Sequence, residues 1–224
     1  MNNSTQLVLL RNITKKYNDL MVLRGIDLTI NAGDYISIMG RSGCGKSTLL
    51  NIIGGMDTAT EGIYRFENEN VSNMTNKQLA TFRNRKIGYV FQQFHLIGDM
   101  SVLDNIAMPL GYRGMSKKER TELAKTALDL VGLSEKHGNF PKELSGGEQQ
   151  RVAIARAIVG APSLIIADEP TGNLDSATAD TIMELFEKLH NDGRTILLVT
   201  HDKEIATKAD THLYMQDGVF KEIS

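Results

Sequence analysis

Long hydrophobic runs are what this 224-residue chain most lacks: its cleanest apolar stretches are as short as Leu164–Ala167 and Ile196–Val199. Crossing a bilayer takes about 20 apolar residues, so no segment is expected to span a membrane, and work at a membrane would need another chain to do the crossing. The start, MNNSTQLVLL, has no basic end and no apolar stretch before a small-residue cleavage site, so it does not read as a secretory signal. Cysteine is nearly absent. Cys44 alone excludes an internal disulfide framework and fits a reducing compartment. Charge of one sign is also lacking: 25 Lys and Arg stand against 27 Asp and Glu, a net charge of −2, which excludes nucleic-acid binding by bulk charge. No repeat, low-complexity tract or linker interrupts the chain. With 41% hydrophobic and 23% charged residues, it reads as one globular domain with room for an inserted subdomain.

What is present alternates between two periods. Leu7–Leu10, Ile26–Ile30 and Tyr35–Met39 read as strands, the first two separated by turn residues near Asn18-Asp19. Thr48–Ile53 reads as an apolar helix ended by Gly54-Gly55 and the polar run around Asp57–Gly62. Thr75 with Gln78, and Ser116 with Glu119, read as capping boxes that open helices. Leu123, Ala127, Leu128 and Val131 are expected on one face of the second helix, within a helical insertion running from Gln92 to about Leu144. Val152–Val159 carries apolar residues all round and reads as a buried helix. Ile182, Leu185, Phe186 and Leu189 mark one face of another. Ile87–Phe91, Leu164–Ala167 and Thr195–Thr200 read as buried strands, and Asp217-Gly218 as a hairpin turn between Thr211–Gln216 and Val219–Glu222. Strands alternating with helices predict an α/β fold with a mainly parallel sheet covered on both sides.

Three segments carry chemistry. Gly40-Arg-Ser-Gly-Cys-Gly-Lys-Ser47 fits the phosphate-loop pattern between a strand and a helix. Its glycines let successive N–H groups converge on phosphate oxygens, and the helix adds its positive end. Lys46 supplies a point charge for the β- and γ-phosphates and Ser47 a hydroxyl for Mg²⁺. Cys44 sits where helix N–H groups could favour a thiolate, or is a small residue that fits the loop. The strand Leu164–Ala167 ends in Asp168-Glu169. Neighbouring strand side chains point to opposite sides, so the two acids are expected to do different jobs: Asp168 as a partner of Mg²⁺, Glu169 as the base that polarises an attacking water. Ser145-Gly-Gly-Glu-Gln-Gln-Arg151 is both a capping box and, with glycines in a first helical turn, a candidate anion site.

Together these segments make the chain resemble the ATP-binding subunits of ABC transporters over nearly its whole length. Leu144-Ser-Gly-Gly-Glu-Gln-Gln-Arg151 looks like the family signature, Gln92 like the Q-loop glutamine, Asp175 like the D-loop aspartate, His201 like the switch histidine and Tyr17 like the aromatic that stacks on adenine. The runs Gly54-Gly-Met-Asp-Thr58, Asp104–Leu110 and Ala167–Asp175 resemble a narrower branch with lipoprotein-release, macrolide-export and cell-division ATPases and peptide-antibiotic resistance pumps. Arg41 stands where the family often has Pro, Ser or Ala.

The resemblance implies a P-loop NTPase fold: a RecA-like core and N-terminal antiparallel β subdomain from residues 1–92 and 144–224, and an inserted helical subdomain from 93–143. It implies an ATPase with ATP and Mg²⁺ as cofactors. The nucleotide would lie on Tyr17, Gly40, Arg41, Ser42, Gly43, Cys44, Gly45, Lys46, Ser47, Thr48 and Gln92. The metal would be held by Ser47, Gln92 and Asp168, and catalysis would fall to Glu169, His201, Lys46 and Gln92. It further implies a head-to-tail homodimer in which Leu144, Ser145, Gly146, Gly147 and Glu148 face the partner's nucleotide and Asp175 bridges the copies, unless Asp175 is an ordinary helix cap. A separate permease would dock near Phe94–Met108, with Phe94, Leu96, Met100 and Met108 as contacts or as core-facing residues of a coil. The chain would sit on the cytoplasmic face of the cell membrane and drive export or extraction of a lipoprotein, peptide or antibiotic. The alternative is regulation of a membrane partner without transport.

Overall fold

The computed structural model describes residues 5–221. The opening MNNS and the final residue of the expected strand Val219–Glu222 lie outside them.

The chain opens as a long hairpin, β1 (Gln6–Tyr17) and β2 (Leu20–Asn31), turning at Asn18-Asp19 with Asn18 in the left-handed region. Strand β3 (Tyr35–Gly40) runs into α1 (Lys46–Ile53). Then follow β4 (Glu61–Phe66), β5 (Glu69–Asn70), α2 (Asn76–Lys86) and β6 (Ile87–Val90). Helices α3 (Val102–Gly111), α4 (Lys117–Leu130) and α5 (Gly146–Ile158) come next. The chain finishes with β7 (Leu164–Asp168), α6 (Ser176–Asn191), β8 (Ile196–Val199), α7 (Lys203–Ala206), β9 (Thr211–Gln216) and β10 (Val219–Lys221). The capping boxes expected at Thr75, Ser116 and Ser145 all form. In each, a hydroxyl and a carboxylate or amide satisfy backbone donors that the helix start leaves open.

Two sheets form. One is antiparallel, ordered β2-β1-β4-β5. The other is ordered β10-β9-β3-β8-β7-β6 and is parallel except where β10 turns back on β9. Strand alternation divides the core along the parallel sheet. Ile165, Ala167, Ile196 and Leu198 face α3 to α6, while Leu164, Ile166, Leu197 and Val199 face α1 and the antiparallel sheet. With both faces covered, the strands must be continuously apolar, as β7 and β8 are.

Helix α4 departs from the expected face. Leu123 is 41% exposed, and the buried stripe runs through Ala124, Ala127, Leu128 and Val131. Those four keep the i, i+3, i+4, i+7 spacing that Leu123 breaks, and the small Ala124 lets α4 lie close to its neighbours.

The Asp217-Gly218 turn does more than join β9 to β10. Both residues have positive φ, 50° and 79°, the two-residue geometry that suits strand twist. Gly218 donates its N–H to the Cys44 carbonyl at 3.0 Å and accepts from Arg24 N–H at 2.9 Å. The turn thus ties the antiparallel sheet to the loop before α1. A Cβ on Gly218 would strike the Val22 carbonyl oxygen. Gly218→Ala is expected to lower stability by about 1–3 kcal/mol in urea unfolding, from backbone strain plus that collision. An unchanged unfolding midpoint would contradict the reading.

Candidate active site

The parallel pairing of β3, β8, β7 and β6 brings their carboxyl ends to one edge, where the loops after them enclose a cavity of about 610 Å³. Gly40, Arg41, Ser42, Gly43, Gly45, Lys46, Ser47 and Thr48 line it from the phosphate loop and the start of α1. Gln92, Asp168, Glu169 and His201 line it from the other strand ends. Residues far apart in sequence and singled out by separate signals therefore share one cavity. Val22 on β2 also lines it, and nothing in an apolar strand residue signals that role.

The loop is tight by construction. Gly43 and Gly45 adopt φ of 78° and 109°, which only glycine does without strain. Lys46 is 9% exposed and donates to the carbonyls of Gly40 at 2.7 Å and Arg41 at 3.1 Å. Its ammonium is parked on the loop's own backbone, within a side chain's reach of the cavity. Cys44 does not line the cavity. It is 8% exposed and packs against Gly40, with its carbonyl engaged by Gly218, so here it is the small loop-filling residue.

The alternation argument for the two acids does not hold. Strand β7 ends at Asp168, and Glu169 takes φ of 48°, so the backbone leaves the extended region between them. Both carboxylates reach the same cavity. The Glu169 carboxylate accepts from His201 Nδ1, 2.9 Å from both oxygens, which requires the proton on Nδ1. Burial, and then the neighbouring Glu169 charge, raise the Asp168 carboxyl above its ordinary range, against an opposing pull from Lys46. Ser47, Gln92 and Asp168 line one cavity and offer it hard oxygen donors, a set that fits Mg²⁺.

Tyr17 is beside the cavity but does not line it. Its hydroxyl donates to Asp57 at 2.5 Å, and Lys15 Nζ, 2.6 Å from the same carboxylate, lies 4.7 Å from the ring centre. The hydrogen bond to Asp57 raises the Tyr17 hydroxyl. Burial pushes the Asp57 carboxyl up, but hydrogen bonds from Lys15, Tyr17 and Thr58 outweigh it and hold the acid below its usual range. One ring face is thereby occupied by the ammonium, and the phenol is fixed. Lys15 and Asp57 escaped the sequence reading because the pair is 42 residues apart.

Residues 144–148 contribute nothing to the cavity. Ser145 caps α5, and its backbone N–H is held by Glu148 at 2.8 Å. The two glycines have separate reasons. A Cβ on Gly147 would overlap the Thr178 methyl group, so its absence serves the packing of α5 on α6. A Cβ on Gly146 would meet nothing closer than 3.5 Å, and Gly146 is exposed. Asp175 caps α6, accepting from the Thr178 N–H at 3.0 Å. Gln92 lies against the following turn, with Asn173 donating to its carbonyl at 3.1 Å.

A phosphate loop opening a helix, a buried strand ending in two acids and a parallel sheet between helices define a nucleoside triphosphatase. The comparisons narrow the class. The ABC transporter profile matches residues 23–172. The chain is 48% identical to the ABC transporter ATP-binding protein YknY of Bacillus subtilis over 95% of this chain and 94% of that one. It is also 48% identical to the macrolide export ATP-binding/permease protein MacB of Syntrophobacter fumaroxidans, over 96% of this chain and 31% of that protein. Among solved structures, it matches the dimeric ATP-binding cassette MJ0796 in a post-hydrolysis state with ADP and Pi. That match has a TM-score of 0.88 at 41% identity, over 96% of this chain and 97% of that one. The chain belongs to the ABC transporter ATP-binding family. It is an ATPase that takes ATP with Mg²⁺.

The contrast between the two glycines is testable. Gly147→Ala is expected to destabilise the fold by about 1–3 kcal/mol through the collision with Thr178. Gly146→Ala should leave stability unchanged or raise it by up to about 1 kcal/mol. Thermal unfolding of both variants checks this, and equal losses would refute it.

Proposed function

We propose that the chain is the ATP-hydrolysing subunit of a membrane-bound export complex, working as a head-to-tail homodimer around two MgATP. The observation that carries the dimer is the separation of its parts. The cavity holding Lys46, Glu169 and His201 is not lined by Ser145 or Gly146, which are exposed at the start of α5. A capped helix start with open N–H groups is an anion site that still needs an anion. A second copy offers one: its Lys46 and Ser47 would face Ser145 and Gly147 across the shared nucleotide. Solved relatives described as dimeric support the arrangement. Export is supported by relatives named for macrolide and pyoverdine export, of which the chain spans about a third of the length.

In this reading the helix start and the loop amides bind the triphosphate, and Lys46 leaves the carbonyls of Gly40 and Arg41 for it. Tyr17 stacks on the base. Ser47, Gln92 and Asp168 would hold Mg²⁺, which would neutralise phosphate charge when bound. Glu169 accepts the proton of the attacking water, and His201 releases Glu169 to hold the γ-phosphate. ADP lacks the group that the second copy grips, so hydrolysis reopens the dimer. Asp175, whose two oxygens accept from the Thr178 N–H and hydroxyl, bridges the copies through the lone pairs left on its exposed carboxylate. Residues 93–143 act as the inserted helical subdomain.

Docking of the permease is assigned to a groove of about 400 Å³ between α2, β6, α3 and α5. Of the contacts expected from the sequence only Met108 lines it. Leu96 packs on the core, and Met100 belongs to a neighbouring cavity. The groove is lined by Arg83, Arg113, Arg156 and His95, with apolar Phe91, Met108 and Tyr112 and no carboxylate. Its occupant is an amphipathic permease segment carrying acidic residues. The chain would then sit on the inner face of the membrane through that permease. Among the described residues no helix is long and apolar enough to cross it.

Glu169→Gln is expected to slow ATP hydrolysis by roughly 10²–10⁴-fold while keeping ATP affinity, and to make the ATP-bound dimer visible by size-exclusion chromatography. Near-normal turnover would remove Glu169 from the role of base. Tyr112 is 79% exposed, so Tyr112→Asp should leave the fold and basal ATPase rate intact. It should repel an acidic docking segment and uncouple the permease, read as lost stimulation of ATPase activity in the reconstituted complex. Unchanged stimulation would move the docking site elsewhere.

A further inference from the structure

Gln150 is a polar residue with no exposure at all, in the middle of α5, and no part of it lines the nucleotide cavity. Its side-chain nitrogen donates to the Pro170 carbonyl at 2.6 Å and, more weakly, to the Phe91 carbonyl at 3.4 Å. Both facing groups are carbonyl oxygens, so the amide nitrogen must be the atom that meets them. The side-chain oxygen is left buried without a partner. A buried amide with one end unsatisfied is costly relative to an apolar side chain of the same size. The donor end must therefore matter.

The turn it holds is the one that carries Glu169. Glu169 has φ of 48° and precedes a proline, a pairing that backbone sterics disfavour twice over. Pro170 has no N–H with which to anchor the turn. The backbone anchors it on either side, through Glu169 N–H to the Val199 carbonyl at 2.9 Å and Gly172 N–H to the Glu169 carbonyl at 3.1 Å. Gln150 supplies the anchor at Pro170 itself. A strained conformation persists only where its surroundings over-determine it, and such strain gathers at functional sites.

Helix α5 has other attachments on the same side. Arg156 donates to the carbonyls of Phe94 at 2.8 Å and His95 at 2.6 Å, so α5 grips the segment around Gln92 at both ends. At its start the helix presents Ser145 and Gly146.

We propose that Gln150 is the positioning residue for Glu169: it fixes the left-handed turn at Pro170 so that the carboxylate points at the attacking water. The helix that offers its start to the partner's nucleotide thereby also sets the catalytic geometry of its own chain. This rests on the reading of Glu169 as the base.

The test is a double-mutant cycle on the full-length chain, with single-turnover hydrolysis of MgATP by the wild type, Gln150→Met, Glu169→Gln and the double variant. Methionine keeps the length and volume and removes the donor. Gln150→Met is expected to lower kcat by roughly 10–100-fold, the scale of a slightly misplaced catalytic group, with KM for ATP within about twofold. In the Glu169→Gln background the same change should cost less than about twofold, and the ATP-bound dimer should persist on size exclusion. A loss by the same factor in both backgrounds, or loss of the ATP-bound dimer in the double variant, would overturn the proposal and make Gln150 a packing residue. Gln150→Asn, whose amide falls one methylene short of Pro170, is the second variant and should give the same pattern. Normal turnover in Glu169→Gln alone would instead sink the underlying reading of the base, so the two failures are distinguishable.

Discussion

The alignment of strand ends is the constraint on which the site depends. Parallel pairing of β3 with β8, β8 with β7 and β7 with β6 places Gly40, Val199, Asp168 and Val90 at one edge of the sheet. Both faces are sealed by apolar side chains, so that edge is where polar loops can collect. Slipping one strand by a residue would exchange its two buried faces and carry its loop away from the others. The continuous apolar texture of β7 and β8 is thus as much a requirement of the site as Lys46 or Glu169.

Much of this was legible in the residues. Apolar runs marked the parallel strands, capping boxes marked three helix starts, and the phosphate loop stood between its strand and helix as expected. What was not legible depended on close three-dimensional fit. Leu123 was expected on the buried face, whereas the i, i+3, i+4, i+7 spacing that Ala127, Leu128 and Val131 complete begins at Ala124. Strand alternation misplaced Glu169 because the rule ends where the strand does, at Asp168, and Glu169 already lies in the left-handed region. Gly147 read as a ligand-binding glycine, yet Thr178 already explains its missing side chain. Gln150 sat unnoticed inside the signature run, since only its burial and its carbonyl partner distinguish it from Gln149.

Signature helix α5 joins parts that the sequence presents as separate motifs. Ser145 and Gly146 at its start are exposed, Gln150 holds the Glu169 turn, and Arg156 near its end holds the segment that borders the proposed docking groove. A helix with a buried apolar face moves as a unit, because its interior hydrogen bonds and close packing resist local distortion. On the proposed reading, an event at the groove and an event at the partner's nucleotide reach the same rigid body. No chain of small displacements is then needed between them.

Internal contacts also bear on how, in the proposed dimer, ATP joins the copies and ADP releases them. Lys46 is bonded to the Gly40 and Arg41 carbonyls, and Glu169 to His201. Nucleotide binding exchanges such contacts for new ones, and hydrogen bonds to charged groups contribute about 1.5–3 kcal/mol each. At the start of α5 the Ser145 and Glu148 N–H groups are held by the capping box, and the exposed Gly146 offers its N–H in exchange for water, so in the proposed dimer the second copy adds a contact to the γ-phosphate that one chain lacks. In the proposed dimer the second copy's share of the difference between ATP and ADP falls on the joining of two copies, which is where a reversible closing motion needs it.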